Sequence, residues 1–270
     1  MKRFVRATLL GIAAFVVLLP VLIALMNSFK PLGRILADVL ELPTSLRLES
    51  YFHVIEAGNY GLGFLNTFMI TVFAVGLSLL GAAMVAFHLA RRATAFADGL
   101  LILFSISMLV PFQTIMLPLV KVGSLLHVTD SLPGLILVMI PLFSPFAILT
   151  YHGFVKSIPR ELDEAAEIDG ASRFRLFFTI IAPMMSPVTS SLVVIYTLWS
   201  WNDFALPLVF LSSAGNRTVT LVTFVYYSSQ NMRWDFILAA LGLAAIPVIL
   251  FYVLMQRFII RGVTDGALKG

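Results

Sequence analysis

The sequence predicts an all-α, polytopic membrane protein with six transmembrane helices and both termini in the cytoplasm. Three observations lead there. Of its 270 residues, 60% are hydrophobic and 12% charged, where a soluble domain runs nearer ~45–50% apolar and ~25% charged. Mean hydropathy is +0.99, and a bilayer solvates such side chains directly where a soluble core could not hide them. Uncharged runs recur along the chain at helix-spanning length, and Lys and Arg gather in alternate connections.

A charge at the centre of a spanning helix costs a few kcal/mol, so the gaps between charges mark the spans. Uncharged runs extend over Ala7–Phe29, Ala57–Ala90, Gly99–Val120, Ser131–Val155, Leu176–Asn202 and Phe236–Gln256, each reaching the ~20 residues a helix needs. The first helix is placed at about 7–28, with an outer loop up to residue 60. Its apolar core exceeds the ~7–15 residues of a signal peptide, and Ala24-Leu25-Met26 lacks a small residue at a cleavage position, so the run is expected to stay as a span. The second run opens with Gly58, Asn59, Tyr60, Gly61 and Gly63, which places its helix at about 62–89. The remaining helices are placed at about 98–120, 132–155, 184–209 and 235–258, followed by a cytoplasmic tail over 259–270.

Orientation follows from the basic residues. With the N-terminus inside, Lys2, Arg3, Arg6, Arg91, Arg92, Lys156, Arg160, Arg173, Arg175, Arg257, Arg261 and Lys269 are cytoplasmic. Lys30, Arg34, Arg47, Lys121, Arg217 and Arg233 fall outside, a two-to-one bias. The net charge of +4 is therefore a topology signal. Clustered basic residues with interleaved aromatics are missing, so no nucleic-acid partner is expected.

Proline recurs within the spans. Each proline reads first as an ordinary kink; the sharper reading is that the pairs Pro111/Pro118, Pro141/Pro145 and Pro183/Pro187 bend helices around a cavity or hinge. Catalytic signatures are missing. There is no cysteine, no P-loop and no G-x-S-x-G elbow, and His53, His88, His127 and His152 are scattered outside any H-E-x-x-H pattern. No catalytic residue, metal site or resident cofactor is predicted.

The densest charge lies between the fourth and fifth spans, nine charged residues among the twenty from Lys156 to Arg175. Over 157–171 the boundary signals of a short helix are complete. Pro159 suits the first turn, Glu161, Asp163 and Glu164 complement the positive end of the dipole, and Gly170 can stop the helix in the left-handed conformation. Ser172 starts the next helix. Ile158, Leu162, Ala165 and Ala166 are expected on one narrow apolar face, suited to close approach by another protein.

These residues resemble a known pattern. Glu164-Ala165-Ala166, three residues, Gly170, nine residues, Ile180, one residue, Ala182 and Pro183 resemble the EAA signature of membrane subunits of binding-protein-dependent ATP-binding-cassette (ABC) importers, which normally carry Leu where Ala182 stands. Trp201-Asn202-Asp203-Phe204 with Pro207-Leu208 is similar to the fifth-helix region of the carbohydrate importers. Arg257-Phe258, Arg261-Gly262, Thr264 and Gly266-Ala267-Leu268-Lys269-Gly270 resemble the tail of their maltose-type second permease.

The resemblance implies a type I ABC importer transmembrane domain over 61–270 in a bacterial or archaeal cytoplasmic membrane. It implies as partners a second homologous permease, two cytoplasmic ATPases that use ATP and Mg, and an extracytoplasmic sugar-binding protein, besides membrane lipid. It also implies that Glu164, Ala165, Ala166, Asp169 and Gly170 belong to a coupling helix docked on an ATPase.

For a substrate path the candidates are polar or aromatic residues of the spans: Asn66, Gln113, Thr114, Tyr196, Trp199, Trp201, Asn202 and Asp203. Aromatic faces stack on sugar C–H surfaces while amides and carboxylates bond hydroxyls. The same residue types also serve interfacial belts and interhelical bonding. Two alternatives stand beside a sugar importer: an ABC permease for a non-sugar solute, and a proton-coupled carrier. The carrier would want ionisable groups at mid-membrane, for which Asp203 is the sole candidate.

Overall fold

Proline and the spacing of small residues decide how the apolar runs are shaped. The computed structural model describes residues 2–92, 94–228 and 232–267. Its elements are α1 (Lys2–Asn27), α2 (Leu32–Ala37), α3 (Glu49–Glu56), α4 (Tyr60–Arg91), α5 (Ala95–Ser107), α6 (Phe112–Leu125), α7 (Leu132–Lys156) and α8 (Glu161–Ile168). Next come α9 (Arg173–Leu176), a π-helical turn (Phe177–Ile181), α10 (Ala182–Met184), α11 (Ser186–Asn202), α12 (Ala205–Phe210), α13 (Val219–Ser228) and α14 (Trp234–Ala267). Leu268, Lys269 and Gly270 lie outside the described residues, as do the side chains of Lys2, Arg257, Phe258, Arg261, Gly262, Thr264, Gly266 and Ala267.

Four helices are long and apolar enough to cross a membrane: Arg3–Asn27 within α1, α4, α7 and Trp234–Gln256 within α14. Two bent pairs, α5 with α6 and Arg173–Met184 with α11, bring the number to as many as six if each pair is one span.

The bends depart from the expected helices at definite places. The stretch 98–120, expected as one helix, is two, because α5 ends at Ser107 and α6 starts after Pro111 with its axis turned by 104°. Pro111 takes extended backbone (ψ 133°) and has no N–H to continue the helix. The stretch 184–209 is also divided: a 75° bend separates Arg173–Met184 from α11, and Asp203, extended at ψ 127°, separates α11 from α12. Pro141 and Pro145 do not break their helix; α7 stays continuous from Leu132 to Lys156. Membrane helices tolerate proline where neighbours satisfy the carbonyls it frees. The Tyr196 hydroxyl of α11 donates to the Phe143 carbonyl at 2.6 Å and ties the two helices together. At the C-terminus, helix continues through Ala267 where a tail was expected from residue 259.

The chain divides into two compact units, one running to Phe64 and including Arg217–Ile249, the other built from Leu65–Asn216 and the chain from Leu250. In the first, α1 buries none of its apolar window within the chain, so lipid or another subunit must cover it. The core of this unit is Val54, Tyr60, Val219, Val222, Ala239 and Ala240, with Tyr51, Tyr226 and Phe236 packed against it. Gly242 is a close-approach position, because a Cβ there would sit 2.9 Å from the Tyr51 hydroxyl.

The second unit is organised by the inner stripe of α4. Val75, Leu79, Ala82, Ala83, Ala86, Leu89 and Ala90 recur at helical spacing and share one core with Ala147, Ile148, Tyr151 and Val155 of α7 and Leu192 and Tyr196 of α11. Alanine dominates because small residues let backbones approach where lipid offers no hydrophobic drive for association. The same core continues past α7 into Ile158, Ala166, Leu176 and Phe177, so the segment around α8 is packed onto the helix ends.

Candidate functional site

The site is built from the charged segment after α7. Arg160 precedes α8, and Glu161, Asp163 and Glu164 stand in its first turn, where the helix dipole favours them. Gly170 terminates the segment at φ +73°. Backbone bonds Asp169 N to Ala165 O (3.0 Å), Gly170 N to Glu167 O (3.1 Å) and Ala171 N to Ala166 O (2.9 Å) close the last turn. Ser172 then caps α9, its side chain accepting from Arg175 N at 3.3 Å.

The segment is anchored by a group that sequence reasoning missed. Arg91, the last residue of α4, sends Nη2 to Asp163 Oδ1 at 3.0 Å and Nη1 to the Ile158 carbonyl at 3.1 Å. Its Nε lies 2.7 Å from Asp163 Oδ2 as a close ionic contact rather than an aligned hydrogen bond. The two side chains are 10% and 15% exposed, so water screens the pair little. Glu167 and Arg173 approach only to 4.0 Å, and both are exposed.

The expected single apolar face of the helix is divided. Ile158 and Ala166 are buried in the chain's own core, while Leu162, Ala165 and Ile168 are exposed. The reason is helical geometry. Ile158 precedes α8 and follows the course of the loop, and Ala165 and Ala166 are ~100° apart, so only one can face inward. The outward surface carries Ile168, 86% exposed, and nearby in sequence Phe174, 64% exposed. Glu164 and Asp169 are exposed and form no ion pair among the described residues.

The expected pathway residues are dispersed. Tyr196 is fully buried, donating to Phe143 O and lying 4.8 Å from the Phe143 ring and 5.4 Å from Trp199. Asn66 is buried and donates to the Gly215 carbonyl at 2.8 Å, a tie between distant parts of the chain. Trp201 is buried, Asp203 half-buried, and Trp199, Asn202, Gln113 and Thr114 are exposed. Asn202 donates to the Leu198 carbonyl of its own helix at 2.8 Å. The structure therefore joins Tyr196 to Trp199 and leaves Gln113 at the start of α6. No group of three His, Cys, Asp or Glu suited to a metal occurs among the described residues.

A second connection missed by sequence reasoning ties the loop between α6 and α7 to the loop after α12. Asp130, between α6 and α7, accepts from Ser212 N and Ser213 N at 2.9 Å each and from Ser213 Oγ. Asn216 Nδ2 donates to the Asp130 carbonyl at 2.5 Å, and Asp130 N donates to Phe210 O at 2.8 Å. These donors, Ser213 foremost, hold the carboxyl well below the usual carboxylate range. Asp130 takes a positive φ of 53°; in the sequence the only signal was an Asp between two apolar runs, a residue type that tolerates that conformation.

Comparison with known proteins agrees with this architecture. The family model for binding-protein-dependent transport system inner membrane components matches residues 78–265. The probable starch degradation products transport system permease protein AmyC of Thermoanaerobacterium thermosulfurigenes is 37% identical over 251 residues, 93% of this chain and 91% of that one. The multiple sugar-binding transport system permease protein MsmG of Streptococcus mutans is 33% identical, covering 98% and 97% of the two chains. A solved bacterial ABC transporter involved in the import of the acidic polysaccharide alginate has a chain of the same fold, with TM-score 0.81, 20% identity and 95% coverage of both chains. The chain belongs to the family of binding-protein-dependent transport system inner membrane components, and its relatives are sugar-importer permeases.

Proposed function

We propose that this chain is the permease subunit of an ATP-driven sugar importer in a bacterial or archaeal cytoplasmic membrane. It crosses the membrane six times with both termini inside, each bent pair counting as one span. Paired with a second permease, it forms half of the translocation pathway and receives sugar from an extracytoplasmic binding protein. It binds no cofactor of its own; two partner ATPases use ATP and Mg.

The observation that carries the reading is the construction of α8. Its outward residues Leu162, Ala165 and Ile168 offer a docking surface, and its inward side is fixed by Asp163 on Arg91 and by Ala166 in the core. Glu164, Ala165, Ala166, Asp169 and Gly170 form the coupling helix in this reading. Movement of a docked ATPase then reaches α4 through the Arg91–Asp163 pair and reaches α11 through α9 and the π-helical turn. Alternating access follows from rigid segments pivoting at the breaks near Pro111 and Met185. Asn66, Gln113, Tyr196, Trp199, Trp201, Asn202 and Asp203 are the pathway candidates, with buried Tyr196 packed against Trp199.

The test is reconstitution of the chain with the subunits that co-purify with it. Sugar-loaded binding protein should stimulate ATP hydrolysis, and Glu164→Lys should abolish the stimulation while leaving membrane insertion intact. Uptake by the chain alone, driven by a proton gradient, would favour a secondary carrier instead.

A further inference from the structure

The first unit contains a lysine that lacks an anionic partner among the described residues. Lys30 lies three residues beyond the end of α1, and only 2% of it is exposed. Its Nζ donates to the carbonyls of Asp38 and Val39 at 3.3 and 3.4 Å, beyond the ordinary range for N–H···O bonds. No carboxylate pairs with it among the described residues. The acids nearby in sequence are committed elsewhere. Asp38 Oδ1 accepts from Leu40 N at 2.8 Å, Glu41 pairs with Arg34 at 3.2 Å, and exposed Glu49 approaches Arg47 at 3.8 Å.

An ammonium so far from water is costly unless an anion accompanies it. Space for one is present. Lys30 lines a cavity of about 90 Å³ together with Arg34, Thr44, Ser45 and Arg47, room for about three waters at ~30 Å³ each. Those side chains bring three cations and two hydroxyls; Arg34 also meets Glu41 and donates to Thr44 Oγ1 at 3.1 Å, and Arg47 meets Glu49, so Lys30 alone has no carboxylate partner among the three. The enclosing loop is tied down at both ends, Asn27 Nδ2 donating to Val39 O at 2.8 Å and Arg47 N to Phe29 O at 3.3 Å.

We propose that this cavity binds an oxyanion of phosphate type, with Lys30 as the buried counter-charge and Arg34, Arg47, Thr44 and Ser45 as the surrounding donors. Planar guanidinium groups and hydroxyls suit phosphate oxygens. The site closely follows the end of an apolar spanning helix, so two sources supply that chemistry: the headgroup of a phospholipid at the interface, or free phosphate. The inference is independent of the importer reading.

The experiment measures thermal unfolding of the delipidated full chain in a neutral detergent. Sodium phosphate is compared with sodium chloride at equal ionic strength, and dioleoylphosphatidylglycerol with the matching diacylglycerol, which lacks the phosphate. Binding to the folded state raises the unfolding temperature in a saturable manner. A rise of several degrees with phosphate assigns free anion; a rise with the phospholipid but with neither phosphate nor diacylglycerol assigns the headgroup. The response should vanish in Lys30→Met, which should unfold no lower than wild type in anion-free buffer because it has no ammonium to bury. Should Lys30→Met fail to fold, Thr44→Val with Arg47→Gln carries the test, with the midpoint of the response moved to several-fold higher phosphate or phospholipid. No response to either probe, or an equal response in wild type and variants, would overturn the proposal.

Discussion

Arg91 at the end of α4 and Asp163 in the first turn of α8 form an ion pair with Nε 2.7 Å from Oδ2, and a second contact, Nη2 to Oδ1, measures 3.0 Å. Arg91 also holds the Ile158 carbonyl, so one guanidinium joins a spanning helix, the loop after α7 and the exposed helix α8. Breaking a buried pair on one side strands the other charge. Arg91→Leu should therefore lower stability by ~3 kcal/mol, and Asp163→Asn by less because the amide still accepts a bond. Chemical unfolding in detergent reads both, and a double-mutant cycle should give a coupling of ~1–3 kcal/mol.

Gly170 stands at φ +73° with open space where a side chain would lie. The cost of Gly170→Ala is thus backbone strain alone, ~1–2 kcal/mol, and Gly170→Asn should recover part of it. Gly170→Pro should abolish uptake while leaving the protein in the membrane. Unfolding midpoints and uptake assays on the three variants check this order.

Gly134 behaves oppositely, because its constraint is space. A Cβ at Gly134 would overlap the Val128 carbonyl at the start of α7. Gly134→Ala forces the loop to move, an overpacking cost of ~1–3 kcal/mol, and the unfolding temperature should fall accordingly.

Asp130 has a pH signature. Its carboxyl is held below the ordinary range by Ser213, Ser212 and Asn216, so the folded state favours the ionised form. Its contribution is fully present above the unfolded value of ~4 and is lost as the pH falls toward the lowered folded value. Asp130→Asn should remove that pH-dependent part of stability. Unfolding temperatures from pH 7 down to ~3 should fall more steeply for wild type than for the variant.

Helical class, spanning runs and the left-handed glycine at position 170 were legible because they depend on local chemistry, but the short helix expected over 157–171 occupies only Glu161–Ile168 and starts after Pro159. Bends at the pairs Pro111/Pro118 and Pro183/Pro187 were expected and are found at Pro111 and near Met185, whereas the continuity of α7 through Pro141 and Pro145 was not legible. Whether proline breaks a membrane helix depends on neighbours distant in sequence that satisfy the carbonyls it frees. The division of the α8 face was likewise hidden, since Ile158 and Ala166 are drawn inward by Leu176 and Phe177. Arg91 with Asp163 and Asp130 with Ser213 are pairs separated by 72 and 83 residues, beyond any periodicity. Polar residues such as Asn66 and Tyr196 looked like pathway candidates because residue type does not reveal that a distant carbonyl holds each one.

The proposed role of α8 is tested most directly at Ile168, a residue that is 86% exposed. A photo-crosslinking amino acid at that position, activated in native membranes, should capture an ATP-hydrolysing subunit, and Ile168→Asp should lose sugar-stimulated ATP hydrolysis with an unfolding temperature close to wild type. Capture of no such subunit, together with full sugar uptake by Ile168→Asp, would contradict the assignment of this helix as the coupling element.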